Sequence, residues 1–286
     1  MKIVVFGGAG FLGSYVVEEL VKRGYEVTVA DLFQHTAEAS FKKCDITNEN
    51  EVKSIFTQQY DVVYNFAGFS SLDLANQHPK KVLELNVMGN LNILTHIKPS
   101  TIKRFVFASS AYAMSDKGTF YGISKLTSEK VIEQFGKTQN LPFTILRYGS
   151  VYSDKNFPNN YIYNLIAEAI KTNKIIHGGD GLELREYIHA EDAANLSCDI
   201  IEDDSHKGEN YIITGNTKIK RIDLFHMINE ILNNKLQIDC LDNSYKNHYK
   251  LTPYSFQPTT CKKLTPNPHI ELGQGLLRCV QKISDE

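Results

Sequence analysis

Tyr121 and Lys125 lie four residues apart, so on any helix that carries both, the two side chains share a face. A phenol beside an ammonium is an acid–base unit. Free tyrosine titrates near pH 10 and is a poor base at neutral pH, but a nearby positive charge favours the phenolate, which can take a proton from a hydroxyl. A second group is the run Gly7-Gly8-Ala9-Gly10-Phe11-Leu12-Gly13, which reads G-x-x-G-x-x-G. Glycines at this spacing let the backbone approach a pyrophosphate, and the N-terminus of a following helix stabilises its charge. Asp31 stands about 20 residues further on, where an acid accepts a hydrogen bond from a ribose 2′-OH and repels a 2′-phosphate. Together these residues favour NAD over NADP as cofactor.

Such residues need a scaffold, and the first half of the chain alternates two periodicities. Apolar runs at Ile3–Phe6, Glu26–Ala30, Phe41–Ile46, Asp61–Phe66, Phe105–Ala108 and Phe143–Leu146 predict strands. Helical patterns over Phe11–Arg23, Glu49–Gln58, Lys80–Ile97 and Gly122–Lys137 separate most of them. This alternation predicts an α/β fold, a Rossmann-type doubly wound parallel sheet covered on both faces. It also puts the glycine run between the first strand and first helix, Asp31 at the end of the second strand, and Tyr121 at a helix start. Beyond residue 150 the pattern is less regular. Helices are expected at Tyr161–Lys171, Ala190–Ile201, Ile222–Leu232 and Gly275–Ile283, a turn at Gly178–Gly181, and a loop over Leu251–Pro268. The expected domains are an NAD-binding domain over 1–153, with 187–205 returning to it, and a smaller, mainly substrate-binding lobe over 154–286 packed on the sheet.

Composition narrows the function classes. The chain has 286 residues, 42% hydrophobic and 22% charged, with a formal net charge of −2. That is an ordinary soluble globular composition, with no basic excess to suggest a nucleic-acid partner. No apolar stretch is long enough to cross a bilayer. Met1–Phe6 starts like a signal peptide but breaks at Gly7-Gly8, so it reads as a strand and the expected location is cytoplasmic. Cys44, Cys198, Cys240, Cys261 and Cys279 form no C-x-x-C pair and read as scattered reduced thiols. The nine histidines show no H-E-x-x-H, so no metal is expected.

The glycine run together with Tyr121-Gly122-Ile123-Ser124-Lys125 resembles the extended short-chain dehydrogenase/reductase family, specifically its NAD-dependent sugar-nucleotide epimerase/dehydratase branch, over nearly the whole chain. Phe107-Ala108-Ser109-Ser110 matches the family's serine, and Asn86-Val87-Met88-Gly89 its Asn-x-x-Gly. The resemblance implies catalytic roles for Ser110, Tyr121 and Lys125. Cofactor contacts are implied for Gly7, Gly10, Phe11, Leu12, Gly13, Asp31, Asp45, Ile46, Phe66, Ala67, Gly68, Asn86, Tyr121, Lys125 and Tyr148. Ser110, Tyr121 and Ser150 are implied to touch the sugar, with Ser150 standing where relatives carry asparagine. Gly179-Asp180-Gly181, followed by Arg185-Glu186-Tyr187, resembles the segment whose arginine grips the nucleotide diphosphate, a role suited to a planar guanidinium and here falling to Arg185.

Two departures shape the functional expectation. Only ten residues separate Ser110 from Tyr121, fewer than in many relatives, so the sugar pocket should differ. Ala111-Tyr112 follows Ser110 where the 4,6-dehydratases place an Asp-Glu pair, which argues against dehydration. The resemblance therefore implies an NAD-dependent epimerase of a nucleotide-diphosphate sugar, acting at C4 through a transient keto sugar. The alternatives are an NAD(P)H-dependent 4-keto-sugar reductase and a non-catalytic NAD-binding protein. Leu251–Phe256, Lys262–Leu264 and Gly273–Leu277 resemble enzymes of bacterial surface-polysaccharide biosynthesis. Helices over Lys80–Ile97 and Gly122–Lys137 match those that relatives pack into a homodimer interface.

Overall fold

The computed structural model describes residues 1–34, 39–241, 248–253 and 262–285. Thirteen strands occur among them. The first six are β1 (Lys2–Phe6), β2 (Glu26–Asp31), β3 (Ser40–Lys43), β4 (Val62–Asn65), β5 (Arg104–Ser110) and β6 (Phe143–Tyr148). Then follow β7 (Ser150–Tyr152), β8 (Lys174–His177), β9 (Leu184–His189), β10 (Glu209–Ile213), β11 (Lys218–Lys220), β12 (Gln237–Cys240) and β13 (Lys262–Leu264). Eight of them form one sheet in the order β13-β10-β6-β5-β4-β1-β2-β3, and every neighbouring pair is parallel. The chain leaves β1 toward β2 and β3, then returns to build outward from β4. The order thus reverses between β1 and β4, where a parallel α/β sheet opens its ligand crevice.

Strand alternation sends side chains to two cores. Ile3 and Val5 pack with Val16 and Leu20 of the helix Phe11–Lys22, and with Ala193 and Cys198 of the helix Ala190–Asp199. Val4 and Phe6 face the other way, onto Val52, Ile93 and Ile132. A third core joins Tyr152, Ile166, Phe225 and Leu276 in the C-terminal lobe, which carries the helices Tyr161–Thr172, Arg221–Ile231 and Leu272–Asp285. Two small sheets, β11-β9-β7 and β12-β8, complete it.

The structure departs from the sequence reading in three places. The expected helix Lys80–Ile97 is broken into Pro79–Leu83, a π-helical turn Glu84–Met88, and Gly89–His96. The Asn86 carbonyl in that turn accepts the Ser128 hydroxyl at 2.7 Å. Second, the reading named no strand past residue 150, yet seven lie there, three to six residues long. Third, β10 and β13 join the main sheet, so the chain returns to it at 209–213 and 262–264 as well as through the helix Ala190–Asp199. β13 falls in the stretch expected to be loop. Cys261 and Tyr254–Phe256 lie outside the described residues.

Candidate active site

β1 ends at Phe6, and Gly7 turns the chain with φ +75°; a Cβ there would sit 2.3 Å from the Ala67 nitrogen. A Cβ on Gly13 would sit 2.1 Å from the Gly7 carbonyl oxygen. These two glycines are therefore fixed by backbone-on-backbone packing where the loops after β1 and β4 meet. Gly10 differs: its Cβ would meet only the Gly7 oxygen, at 3.3 Å, and otherwise open space. It is the N-cap of the helix Phe11–Lys22 and supplies no side-chain cap, so the first-turn N–H groups remain directed outward. An anion approaching that end meets unpartnered donors and the positive end of the helix dipole. Asp31, at the end of β2, is locked beside it. Its carboxylate accepts the Ala9 N–H at 2.9 Å and the Leu32 N–H at 2.7 Å.

A cleft of about 590 Å³ opens at this point. Gly7, Gly10, Phe11, Leu12, Gly13 and Asp31 line it. So do Asp45, Ile46, Phe66, Ala67 and Gly68, and on the far side Tyr121, Lys125 and Tyr148. This crevice fits a dinucleotide: a bare helix N-terminus near its centre, a fixed carboxylate at one end, and a phenol with an ammonium at the other. Two residues named with the cofactor set behave differently. The Tyr148 hydroxyl turns away to the Ser197 hydroxyl, 2.7 Å off. Asn86 does not line the cleft; its carboxamide accepts the Phe69 N–H at 2.6 Å and donates to the Phe69 carbonyl and the Ser124 hydroxyl. It holds the loop after β4 from behind.

The catalytic candidates meet where the helix Thr119–Gln139 crosses the ends of β5 and β6. Tyr121, Lys125 and Glu129 lie at four-residue spacing and form one stripe facing those strands. Ser110, at the end of β5, stands near enough to Tyr121 to favour its phenolate. Lys125 donates from Nζ to the Ala108 carbonyl at 2.8 Å. Glu129 is fully buried and accepts from the Ser109 hydroxyl and from Nε and Nη2 of Arg147, at 2.5, 2.9 and 2.7 Å. This buried, fully bonded ion pair fixes the helix on the sheet and thereby fixes Tyr121. The sequence reading did not single it out, although Glu129 is the next turn after Lys125.

Burial governs the electrostatics of Tyr121 and Lys125. Burial pushes the Tyr121 phenol above its ordinary value, and the nearby Ser110 side chain only partly offsets that. The Lys125 ammonium is committed to the Ala108 carbonyl and lies 6.0 Å from the centre of the Tyr121 ring. Burial also brings Lys125 down to about 8, against a smaller upward pull from Glu129. The lysine alone therefore does not make Tyr121 a base.

The substrate-side candidates are dispersed. Ser110 stands behind Tyr121 and does not line the cleft. Gly149 and Val151 face the cleft, so strand alternation turns Ser150 on β7 away from it. Arg185 on β9 is only 2% exposed; it donates to the Leu184 carbonyl at 2.7 Å, and its guanidinium carbon lies 4.1 Å over the Tyr249 ring. Tyr249 contacts Tyr112 with ring centres 4.8 Å apart, and Tyr112 contacts Tyr121 edge-on at 6.5 Å. An aromatic row thus leads from the phenol of Tyr121 to Arg185. The sequence reading missed this row because Tyr249 comes from a segment with no motif.

Outside the cleft, Asp154, His189 and Glu191 each offer one ligand atom within 4.8 Å of the others. Tyr15 already hydrogen-bonds Asp154, and Arg278 pairs with Glu191. Among the described residues no helix is long and apolar enough to cross a membrane.

Comparison with known proteins gives the family and the fold. Residues 3–214 match the model of the NAD dependent epimerase/dehydratase family. UDP-glucose 4-epimerase of Lactobacillus helveticus is 30% identical over 228 residues, covering 67% of this chain and 69% of that protein. Among solved structures, UDP-glucose 4-epimerase of Thermotoga maritima with UDP-glucose superposes with a TM-score of 0.83 at 23% identity, over 100% of this chain and 99% of that one. UDP-glucuronic acid 4-epimerase of Bacillus cereus, in complex with UDP-glucuronic acid and NAD, gives a TM-score of 0.86 at 21% identity with the same coverage. These two structures share the fold.

Proposed function

The chain belongs to the NAD dependent epimerase/dehydratase family, and from that premise we propose that it inverts C4 of a nucleotide-diphosphate sugar through a transient 4-keto sugar. The observation that carries this reading is the phenol of Tyr121 at one end of the cleft, with Lys125 on the same helix face and Ser110 beside it. Tyr121 takes the proton of the sugar hydroxyl, and Ser110 acts through Tyr121 by favouring its phenolate. NAD, when bound, would supply the hydride acceptor and donor and, when oxidised, a positive charge. Such a charge near the phenol, added to Lys125, would oppose the upward push that burial gives Tyr121. The Gly7–Gly13 loop and the helix start hold the pyrophosphate, and Asp31 holds the adenosine ribose. Arg185, at the far end of the aromatic row, anchors the substrate diphosphate. The keto sugar turns over between these two fixed ends, and Tyr121 returns its proton. The relatives make a UDP-hexose the first substrate to test. Incubating purified protein with UDP-, dTDP-, GDP- and CDP-sugars and reading products by NMR should yield a C4 epimer without added reduced cofactor. A reaction that consumes NAD(P)H stoichiometrically would replace this reading with a 4-keto-sugar reductase.

The same reading includes a homodimer. Leu83, Met88, Ile123 and Leu126 are 37–56% exposed on adjoining helical segments, Pro79–Met88 and Thr119–Gln139, and an apolar patch of this kind marks an interface. Light scattering at micromolar concentration should report twice the chain mass. A monomer would overturn it.

A further inference from the structure

Tyr112 is two residues past Ser110, in the single helical turn Ala111–Met114 that follows β5. Its position is tightly fixed. Its N–H bonds the Ser110 hydroxyl oxygen at 3.2 Å, and a Cβ on Gly122 would come within 2.8 Å of its carbonyl oxygen. The loop is thus pressed onto the start of the Tyr121 helix, and the Tyr112 ring stands edge-on to that of Tyr121.

The Tyr112 hydroxyl lies 2.9 Å from Nδ1 of His248, and Nε2 of His248 lies 3.2 Å from a carboxylate oxygen of Asp73. The three residues come from separate places: the loop after β5, a segment of the C-terminal lobe, and the short helix Leu72–Ala75. The His248 segment is held on β9, where the Leu184 N–H donates to the Lys250 carbonyl at 2.9 Å, directly before Arg185. Burial pushes His248 below its ordinary value, with Asp73 pulling it partly back. A neutral imidazole here donates from Nε2 to Asp73 and accepts from Tyr112 at Nδ1. This is a base in contact with a hydroxyl and oriented by a carboxylate.

We propose that Tyr112 is a second acid–base group of this site, driven by His248, and that it exchanges a carbon-bound proton next to the transient ketone. The proposal rests on the C4 reading, because only the ketone makes that hydrogen acidic. The Tyr112 oxygen takes a proton from a carbon flanking the carbonyl while its own phenolic proton moves to Nδ1 of His248. The C–H electron pair becomes the C=C bond of an enol, and the carbonyl π pair moves to oxygen, which takes the proton held by Tyr121. His248, now a cation, is paired with the Asp73 carboxylate. Asp73 is largely exposed, so the relay trades its proton with water before the steps reverse. No oxidant or reductant is consumed. Tyr112 touches the sugar; His248 and Asp73 are positioning residues acting through it.

Hydride transfer alone leaves every sugar carbon carrying its original hydrogens, so deuterium separates the two chemistries. UDP-glucose, UDP-N-acetylglucosamine, UDP-glucuronic acid and dTDP-glucose are each incubated with the NAD-loaded protein in D₂O. NMR and mass spectrometry should find deuterium at a carbon adjacent to C4. The ratio of exchange to C4 inversion should fall at least about tenfold in Tyr112→Phe and in His248→Gln. A merely structural role for the pair would change the melting temperature or NAD binding and leave that ratio intact. Inversion without carbon-bound deuterium overturns the proposal and keeps the C4 reading. An unchanged ratio in Tyr112→Phe also overturns it. If none of the four sugars is inverted, the C4 reading fails for them and dTDP-4-keto-6-deoxyglucose decides the proposal: exchange on that ketone that Tyr112→Phe reduces keeps it, and no exchange overturns it.

Discussion

The two ends of the cleft are built by different rules. The cofactor end is made of backbone: loops that each follow a strand, glycines forced by packing of one main chain on another, and a helix terminus. The substrate end is made of side chains that meet from distant parts of the chain; His248 and Asp73 are 175 positions apart. A backbone site depends on a short contiguous motif and tolerates little change. A side-chain site depends on tertiary contacts and can be altered residue by residue without disturbing the sheet. Tyr121 sits at the join of the two ends.

The join is where the largest effect is expected. Tyr121→Phe removes one oxygen and leaves the ring contacts, so NAD binding and melting temperature should stay close to wild type while turnover falls roughly 10²–10⁴-fold. Steady-state kinetics on the identified sugar decide this, and near wild-type turnover would detach the chemistry from the join. Arg185→Ala should act on the substrate end alone. A diphosphate anchor away from the reacting carbon gives uniform binding, so KM should rise about tenfold to a hundredfold with kcat little changed. An equal fall in kcat would place Arg185 in the chemistry instead.

Lys125 belongs to both ends and supplies a pH test. Its folded-state value is brought down to about 8 from 10.5. Between those values the unfolded chain binds more protons at this site than the folded one, so this group makes unfolding free energy rise with pH. Lys125→Met lacks that rise. The stability advantage of Lys125→Met over wild type should therefore shrink from pH 8 toward pH 10.5 in denaturant titrations. A constant or growing advantage would contradict a lysine held unfavourably charged at neutral pH.

How much of this was legible in the sequence follows the same division. β1, β2, β4, β5 and β6 are buried apolar runs, and such runs announce themselves. β11 and β13 read Lys-Ile-Lys and Lys-Lys-Leu, three residues each, and become strands only because a neighbour offers an edge. The broken helix around Asn86 was illegible because the break serves a tertiary contact, the Ser128 hydroxyl on the Asn86 carbonyl. In the site, Gly7, Gly13 and Asp31 could be read from spacing along one strand–turn–helix–strand unit. Glu129 could have been read as the next turn of the Tyr121–Lys125 stripe. Tyr112 with His248, and Tyr249 over Arg185, could not, since no local period links them.

The smallest effect concerns the cofactor end and asks how far a backbone site can be retuned by one side chain. Asp31 does two things: its oxygens hold the Ala9 and Leu32 N–H groups, and its charge faces the cleft. Asp31→Asn separates them, because the amide keeps an oxygen for the loop and drops the charge. At an effective dielectric between that of water and that of a protein surface, a charge pair about 4 Å apart is worth about 1–4 kcal/mol. Removing the repulsion toward a 2′-phosphate should therefore raise NADPH affinity relative to NADH by about tenfold or more. Calorimetric titration of both cofactors measures the ratio directly. NADH itself should weaken by less than tenfold, since the ribose keeps a neutral acceptor. If the ratio does not move, Asp31 acts only as a brace for the glycine loop, and the preference for NAD lies in the backbone with everything else at that end.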